Sequence, residues 1–285
     1  MTHGSVLRES VATRPCPLCG RRSRRDPPQP GSRPVRCAAC SMVYVDPVPP
    51  EAIAPEAYGA GYYEPWQGAE EKPRRGMWRR RLRLLEHHLP GAGGGRTLLD
   101  VGCGDGLFLE VARGDGWNGD GIEFSPEGAR RAAARLGRPV AVGNLAASSL
   151  LQGPYDVVTL WHVLEHLEHP ARMLEAAHRR LRRGGLLAVA VPNLSNLPMR
   201  AAYRLARGRA LPLYEPGARE PHLSHFSPET LRIILSRGGF EPFALVADRC
   251  ALQAAKRAID ACAAWLSLLT GHLQTDAMAA FARRS

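Results

Sequence analysis

The stretch Leu98-Leu99-Asp100-Val101-Gly102-Cys103-Gly104-Asp105-Gly106 sets three glycines at alternate positions after an apolar run. Glycine there lets the backbone turn sharply and approach a ligand closely. The carboxylates of Asp100 and Asp105 flank the turn; they would repel a pyrophosphate and suit a ligand carrying an ammonium and a sulfonium. The spacing also departs from the dinucleotide pattern, whose third glycine falls one residue later, and no Gly-Lys-Ser/Thr follows to hold a triphosphate. About 20 residues further on, Glu123 stands where an acidic side chain accepts hydrogen bonds from ribose hydroxyls. The next residue, Phe124, can cover an adenine face.

A second set of reactive groups lies near the N-terminus. Cys16, Cys19, Cys37 and Cys40 form two Cys-x-x-Cys pairs. Such knuckles present thiolates to one tetrahedral Zn2+, and the spacing is that of a structural site. Metal binding would supply folding free energy to a segment too small for its own core. Cys103, Cys250 and Cys262 read as ordinary buried residues. Arg21, Arg22, Arg24, Arg25, Arg33 and Arg36 surround the pairs, as a phosphate-contacting surface or as a solvated basic face. No stacking aromatics interleave these arginines, and Tyr44 is the only one nearby.

The elements that must position these groups divide the chain into a zinc ribbon (1–50), a linker with a helical lid (51–95) and an α/β domain (96–285). The lid helix is predicted over 77–89, where Trp78, Leu82, Leu85 and Leu89 share a face. Strands are predicted over Thr97–Val101, 119–124, 139–142, Tyr155–Trp161 and 186–191, with helices between them, the first over 106–113. Ser125-Pro126-Glu127 and Ser227-Pro228-Glu229 are helix starts: a hydroxyl N-cap, proline in the first turn, and an acid at the positive dipole end. Gly137 and Gly238-Gly239 are stops. A helix near 252–269 lies between expected strands at 243–248 and 277–282, its apolar face expected to be packed. Strand–helix alternation implies a doubly wound, Rossmann-like sheet of parallel strands.

At these residues the sequence resembles the class I S-adenosylmethionine-dependent methyltransferases. The likeness extends to Tyr155-Asp156-Val157-Val158, Val163-Leu164-Glu165-His166 and Leu181-Arg182-Arg183-Gly184-Gly185. His222-Leu223-Ser224-His225-Phe226-Ser227-Pro228-Glu229 and Gly238-Gly239-Phe240 are similar to the small-molecule branch, which includes the ubiquinone-type O-methyltransferases. It covers roughly residues 74–285. The resemblance implies a seven-stranded sheet with S-adenosylmethionine bound by the loop Asp100, Gly102, Cys103, Gly104 and Asp105. It further implies Glu123 on the ribose, Phe124 on the adenine, Asn144 near the adenine amine and Trp161 beside the transferable methyl. Tyr62 or Tyr63 would lid the cofactor. The sulfonium is already activated, so the protein must align the acceptor and remove its proton. His162, His166, His222 and His225 are the candidates for that task. Relatives hold a divalent cation with acidic and His residues after the fourth strand; here His162 replaces an acidic residue.

The expected reaction is methyl transfer to oxygen of a small molecule, with acceptor contacts from 52–70 and 194–221. An RNA methyltransferase using the basic ribbon, or a non-catalytic cofactor-binding protein, is the alternative. Exocyclic base amines are disfavoured, because Trp161-His162-Val163-Leu164 replaces the Asn/Asp-Pro-Pro-aromatic grip. Composition fits: 285 residues with 45% hydrophobic and 23% charged residues suit a globular chain. The net charge of +11 needs no nucleic acid to explain it, since only Lys72 and Lys256 are lysine and the arginine bias suits a GC-rich genome. No apolar run is long enough to span a bilayer, and residues 1–5 lack a signal-peptide core. A cytoplasmic, reducing location is expected, where seven cysteines favour a metal over disulfides.

Overall fold

Two β-sheets share one body in the computed structural model, which describes residues 14–22, 31–54, 58–64, 70–89, 95–148, 151, 153–218 and 220–285. The smaller sheet begins with β1 (Arg33–Arg36) and β2 (Val43–Asp46), an antiparallel pair beside the four cysteines. Next come α1 (Ala60–Tyr63) and α2 (Glu71–His87). The α/β part then runs β3 (Thr97–Val101), α3 (Leu107–Gly114), β4 (Asn118–Glu123), α4 (Pro126–Leu136) and β5 (Ala141–Val142). It continues through β6 (Tyr155–Trp161), α5 (Pro170–Arg180), β7 (Leu181–Pro192), α6 (Leu197–Arg207), β8 (Ser224–His225) and α7 (Pro228–Arg237). The chain closes with β9 (Phe240–Ala247), α8 (Ala254–Thr270) and β10 (Ala277–Arg284).

Among the described residues the large sheet has seven strands in the order β5-β4-β3-β6-β7-β10-β9. The five from β5 to β7 are parallel, and the stretches Val157–Trp161 of β6 and Leu186–Val191 of β7 are covered on both faces, as their sequences require. Each fully buried Val or Leu there contributes roughly 1.5–3 kcal/mol. The helix ends follow the local signals. Ser125 accepts from Gly128 N–H, Gly137 closes α4 at φ 66°, and Ser227 makes a reciprocal capping box with Thr230.

The structure corrects several expectations. The sheet is not wholly parallel: β10 runs against both neighbours, pairing Ala277 with Pro192 and Met278 with Ala247. The connection through α8 stays at the edge where β9 ends, so the chain re-enters the sheet from that edge. Helix α2 starts at Glu71, six residues earlier than its apolar period, because Arg74 and Arg81 are buried by ion pairing. Helix α8 buries only Asp260 and Ala263 and leaves Trp265 69% and Leu268 79% exposed. Cys262 is exposed and Cys250 half-buried. Helix α6, which buries no residue, had no apolar-core signal to reveal it.

The ribbon is joined to the rest. Strand β8, from the second half of the chain, pairs with β2 to complete a three-stranded sheet. Cys16, Leu18, Cys37, Met42 and Tyr44 belong to the apolar cluster that includes Leu174, Phe226 and Leu231.

Candidate active site

At the carboxyl ends of β3, β4 and β6 lies a cavity of about 600 Å³, within the usual range for a small-molecule site. Its floor is the glycine loop between β3 and α3. Gly102 has φ 71°, and a Cβ there would come within 2.6 Å of Val163 Cγ2. Gly104 and Gly106 also take left-handed backbone, at φ 57° and 78°. Only glycine makes this turn without strain while leaving bare peptide facing the cavity.

Glu123, at the end of β4, is clamped from both sides. Its Oε2 accepts from Gly104 N–H at 2.8 Å and its Oε1 from Ser125 N–H at 3.0 Å. Burial raises its pKa against the pull of these donors. Tyr63 Oη lies 3.5 Å from Oε1, and Gly128 leaves the space that this ring occupies. Phe124, 38% exposed, also lines the cavity. Asn144 does too, with its Oδ1 accepting from Ala146 N–H at 2.9 Å.

The other end of the cavity is built from the segment after β6. His162 holds a left-handed φ of 57°. Its ring lies between two carboxylates, with Nδ1 3.1 Å from Glu165 Oε1 and Nε2 3.4 Å from Asp248 Oδ2. Burial alone would favour the neutral ring, but hydrogen bonds to Asp248, Cys250 and Glu165 outweigh it and raise the pKa well above normal. Asp248 pays for its burial through Arg81, whose Nε donates at 3.0 Å and whose Nη2 makes a second bond; its pKa falls well below the carboxylate range. The Arg81 guanidinium stacks between Trp78 and Trp161, 4.8 and 5.1 Å from the ring centroids.

His166, on the short 3-10 turn Leu164–His166, lies with Nδ1 3.1 Å from the Pro221 carbonyl oxygen. Only an N–H can bond that oxygen, so Nδ1 is the donor, while Nε2 lies 4.0 Å from Glu165 Oε1. Glu165, His166 and His222 offer ligand atoms within 4.8 Å of one another, and Glu165 Oε2 is buried with no hydrogen-bond partner. The His166 and His222 rings meet edge to face at 4.9 Å. Burial lowers the pKa of His222 and takes His225 down to about 4.

The donor set therefore fits a nucleoside: a buried carboxylate beside bare peptide, and an aromatic face. A family model described as a methyltransferase domain matches residues 70–245, more than half of the chain. The chain belongs to the class I S-adenosylmethionine-dependent methyltransferases.

Two curated relatives of this methyltransferase domain are ubiquinone biosynthesis O-methyltransferases. The one from Caulobacter vibrioides is 32% identical over 50% of this chain and 58% of its own length. That from Pseudomonas paraeruginosa is 35% identical over 35% of this chain and 45% of its own. The chain thus spans about half the length of the curated relatives it matches. A solved S-adenosylmethionine-dependent methyltransferase from Thermotoga maritima shares the fold, with a TM-score of 0.55, 18% identity, and coverage of 82% of this chain and 100% of that one.

The methyltransferase cavity gathers Gly102, Gly104, Glu123, Phe124, Asn144, Trp161, His162 and His166 from the sequence-derived set. Others stand apart from it. Asp100 is 2% exposed beneath the loop, takes a 2.6 Å hydrogen bond from Thr159 Oγ1, and is pushed by burial up to about 7. Asp105 turns away: Arg74 binds both its oxygens at 2.9 Å, and Arg135 approaches as well. The expectation that its charge faces the ligand is corrected on that ground. Cys103 packs beneath Gly121 in the core. His222 abuts His166 but does not line the cavity, and His225 is buried in β8. Sequence reasoning missed Tyr58, Trp78, Arg81 and Asp248. Arg74, Met77, Arg81 and Leu85 do recur at helical spacing, but arginine at a buried position gives no apolar signal.

The four cysteine Sγ atoms lie within 4.8 Å of one another, with Cys16–Cys40 at 3.5 Å and Cys19–Cys37 at 3.6 Å. A tetrahedron with Zn–S bonds of about 2.3 Å has edges of about 3.8 Å. The two knuckles match: Gly20 N–H donates to Cys16 O, Ser41 N–H donates to Cys37 O, and both residues take left-handed backbone. Tyr44, the only aromatic near the ribbon's arginines in the sequence, is fully buried. Arg24 and Arg25 lie outside the described residues.

Proposed function

We propose that this protein transfers a methyl group from S-adenosylmethionine to an oxygen of a small biosynthetic molecule. One observation carries the reading: a single cavity has Glu123 and the glycine loop at one end and His166 at the other. When bound, the cofactor supplies an activated sulfonium methyl. Gly102, Gly104 and Glu123 would hold it, with Phe124 against the adenine; Glu123, preset by two backbone donors, would take the ribose hydroxyls without reorganising. The Trp161 indole and the Arg81 stack close the cavity between the two ends.

His166 is the base in this reading. With Nδ1–H donating to Pro221, Nε2 beside Glu165 would take the acceptor's proton. His162, held as an imidazolium by Glu165 and Asp248, orients the acceptor oxygen and stabilises negative charge on it. His222 packs edge to face on the ring of His166, with His225 beyond it against His222. The four cysteines hold one structural zinc ion. The names of the curated relatives support oxygen as the acceptor atom.

The test pairs labelled S-adenosylmethionine with fractionated small-molecule extract from the native cell. Label is expected in a base-stable ether or a base-labile ester product, and His166→Asn should reduce turnover by about 100-fold or more, the usual yield of a general base, with cofactor affinity unchanged. Label appearing only in RNA, or His166→Asn acting at full rate, would overturn the reading.

A further inference from the structure

The reaction so read gives the four-cysteine unit no part. We propose that this unit is an internal brace for the catalytic histidines, acting through Arg14 and the β2–β8 ladder; the proposal rests on the reading of His166 as the base.

Arg14 lies two residues before Cys16. Its backbone N–H donates to Asp46 Oδ1 at 3.1 Å, at the end of β2, and its guanidinium sits 5.1 Å over the Tyr44 ring. From there the guanidinium reaches two separate segments. Nη2 donates to Leu223 O at 2.9 Å and Nη1 to Glu168 O at 3.3 Å. Leu223 follows His222, and Glu168 lies two residues after His166. One ribbon side chain therefore ties together the two segments that carry the histidines.

The backbone repeats the connection. Strand β2 pairs with Ser224 and His225, and Val45 N–H donates to Leu223 O at 3.0 Å. Leu223 N–H in turn donates to Glu165 O at 2.8 Å. The ribbon is seated at its far side by Arg237, whose Nη1 donates to Leu18 O at 2.6 Å, and by Cys16, Leu18 and Cys37 in the shared core.

The mechanical consequence follows from Pro221. Its carbonyl takes the Nδ1–H of His166 and lies two residues before Leu223. A segment released from β2 and Arg14 would carry that carbonyl away, and the imidazole would lose the contact that orients its Nδ1–H. The cofactor end has a separate support, since Gly104 and Ser125 hold Glu123 and none of the ribbon bonds just named touches them. Loss of the brace should therefore spare cofactor binding and disturb only the histidines.

Arg14→Ala and Arg14→Lys in the full chain test this without any acceptor. In Arg14→Ala, S-adenosylmethionine affinity by calorimetry is expected to stay within about twofold. Amide exchange at residues 222–226 and 164–168 should rise about tenfold or more. Nitrogen NMR of the His166 ring should show a mixture of tautomers in place of the single Nδ1–H form, and Arg14→Lys, able to make one of the two bonds, should fall between. Stripping metal from the wild-type chain with a zinc chelator should reproduce the Arg14→Ala pattern and serves if that variant does not fold. Unchanged exchange and tautomer in both experiments would overturn the brace. So would exchange rising equally at residues 98–106, which would make the ribbon a support for the whole fold. A wild-type chain that does not bind S-adenosylmethionine would instead refute the methyl-transfer reading.

Discussion

At the scale of side chains, the chemistry depends on which carboxylates are engaged before any ligand arrives. Glu123 is buried yet points into the cavity, so Glu123→Ala removes a charged acceptor worth about 1.5–3 kcal/mol and should weaken S-adenosylmethionine binding tenfold or more. Calorimetry showing unaltered affinity would take Glu123 out of the site. Asp100 titrates at about 7 because burial outweighs the hydrogen bond from Thr159. A cationic ligand favours the carboxylate form, so affinity should rise by up to about tenfold per unit as pH climbs toward that value and level off above it. Calorimetry in buffers of different ionisation enthalpy should detect the released proton near pH 6, and a flat profile would place Asp100 outside the ligand's field. For the ligand-free fold the sign reverses. The unfolded carboxyl ionises first, from about 3.8, so this group's contribution to stability is present below that pH and lost as pH rises through about 7.

Elements succeed or fail as signals according to how local their causes are. The capped starts of α4 and α7 and the glycine stop of α4 were legible because each depends on residues within four positions of one another. The start of α2 was not, since Arg74 meets Asp105 and Arg81 meets Asp248, partners 31 and 167 residues away. The short β8 carries no period at all and exists because β2 offers it a ladder. The turn after β3 presses on the segment after β6: Gly102→Ala would combine a left-handed backbone with a collision against Val163, next to the turn that bears His166. A loss of about 1–3 kcal/mol is expected, read as a lower Tm. Weaker cofactor binding should accompany it, and wild-type values in both assays would show that Val163 gives way freely.

Over the whole molecule, the ribbon seats its apolar side chains in the core that Leu174, Phe226 and Leu231 line. Metal analysis is expected to find one zinc ion per chain, and Cys37→Ser should release it and lower the Tm. A metal-free chain that melts at the wild-type temperature would refute a structural zinc site.

The amino-acid sequence by itself determined the strand–helix alternation, the glycine turn with Glu123 beyond it, and the four-thiol cluster. Each is written in short-range spacing, where chain geometry leaves few choices. Tertiary structure alone decided that Arg74 engages Asp105, that His162 lies between Glu165 and Asp248, and that His166 meets the Pro221 carbonyl. Burial and long-range pairing set the surroundings of these groups, and neither is fixed until distant segments have packed together.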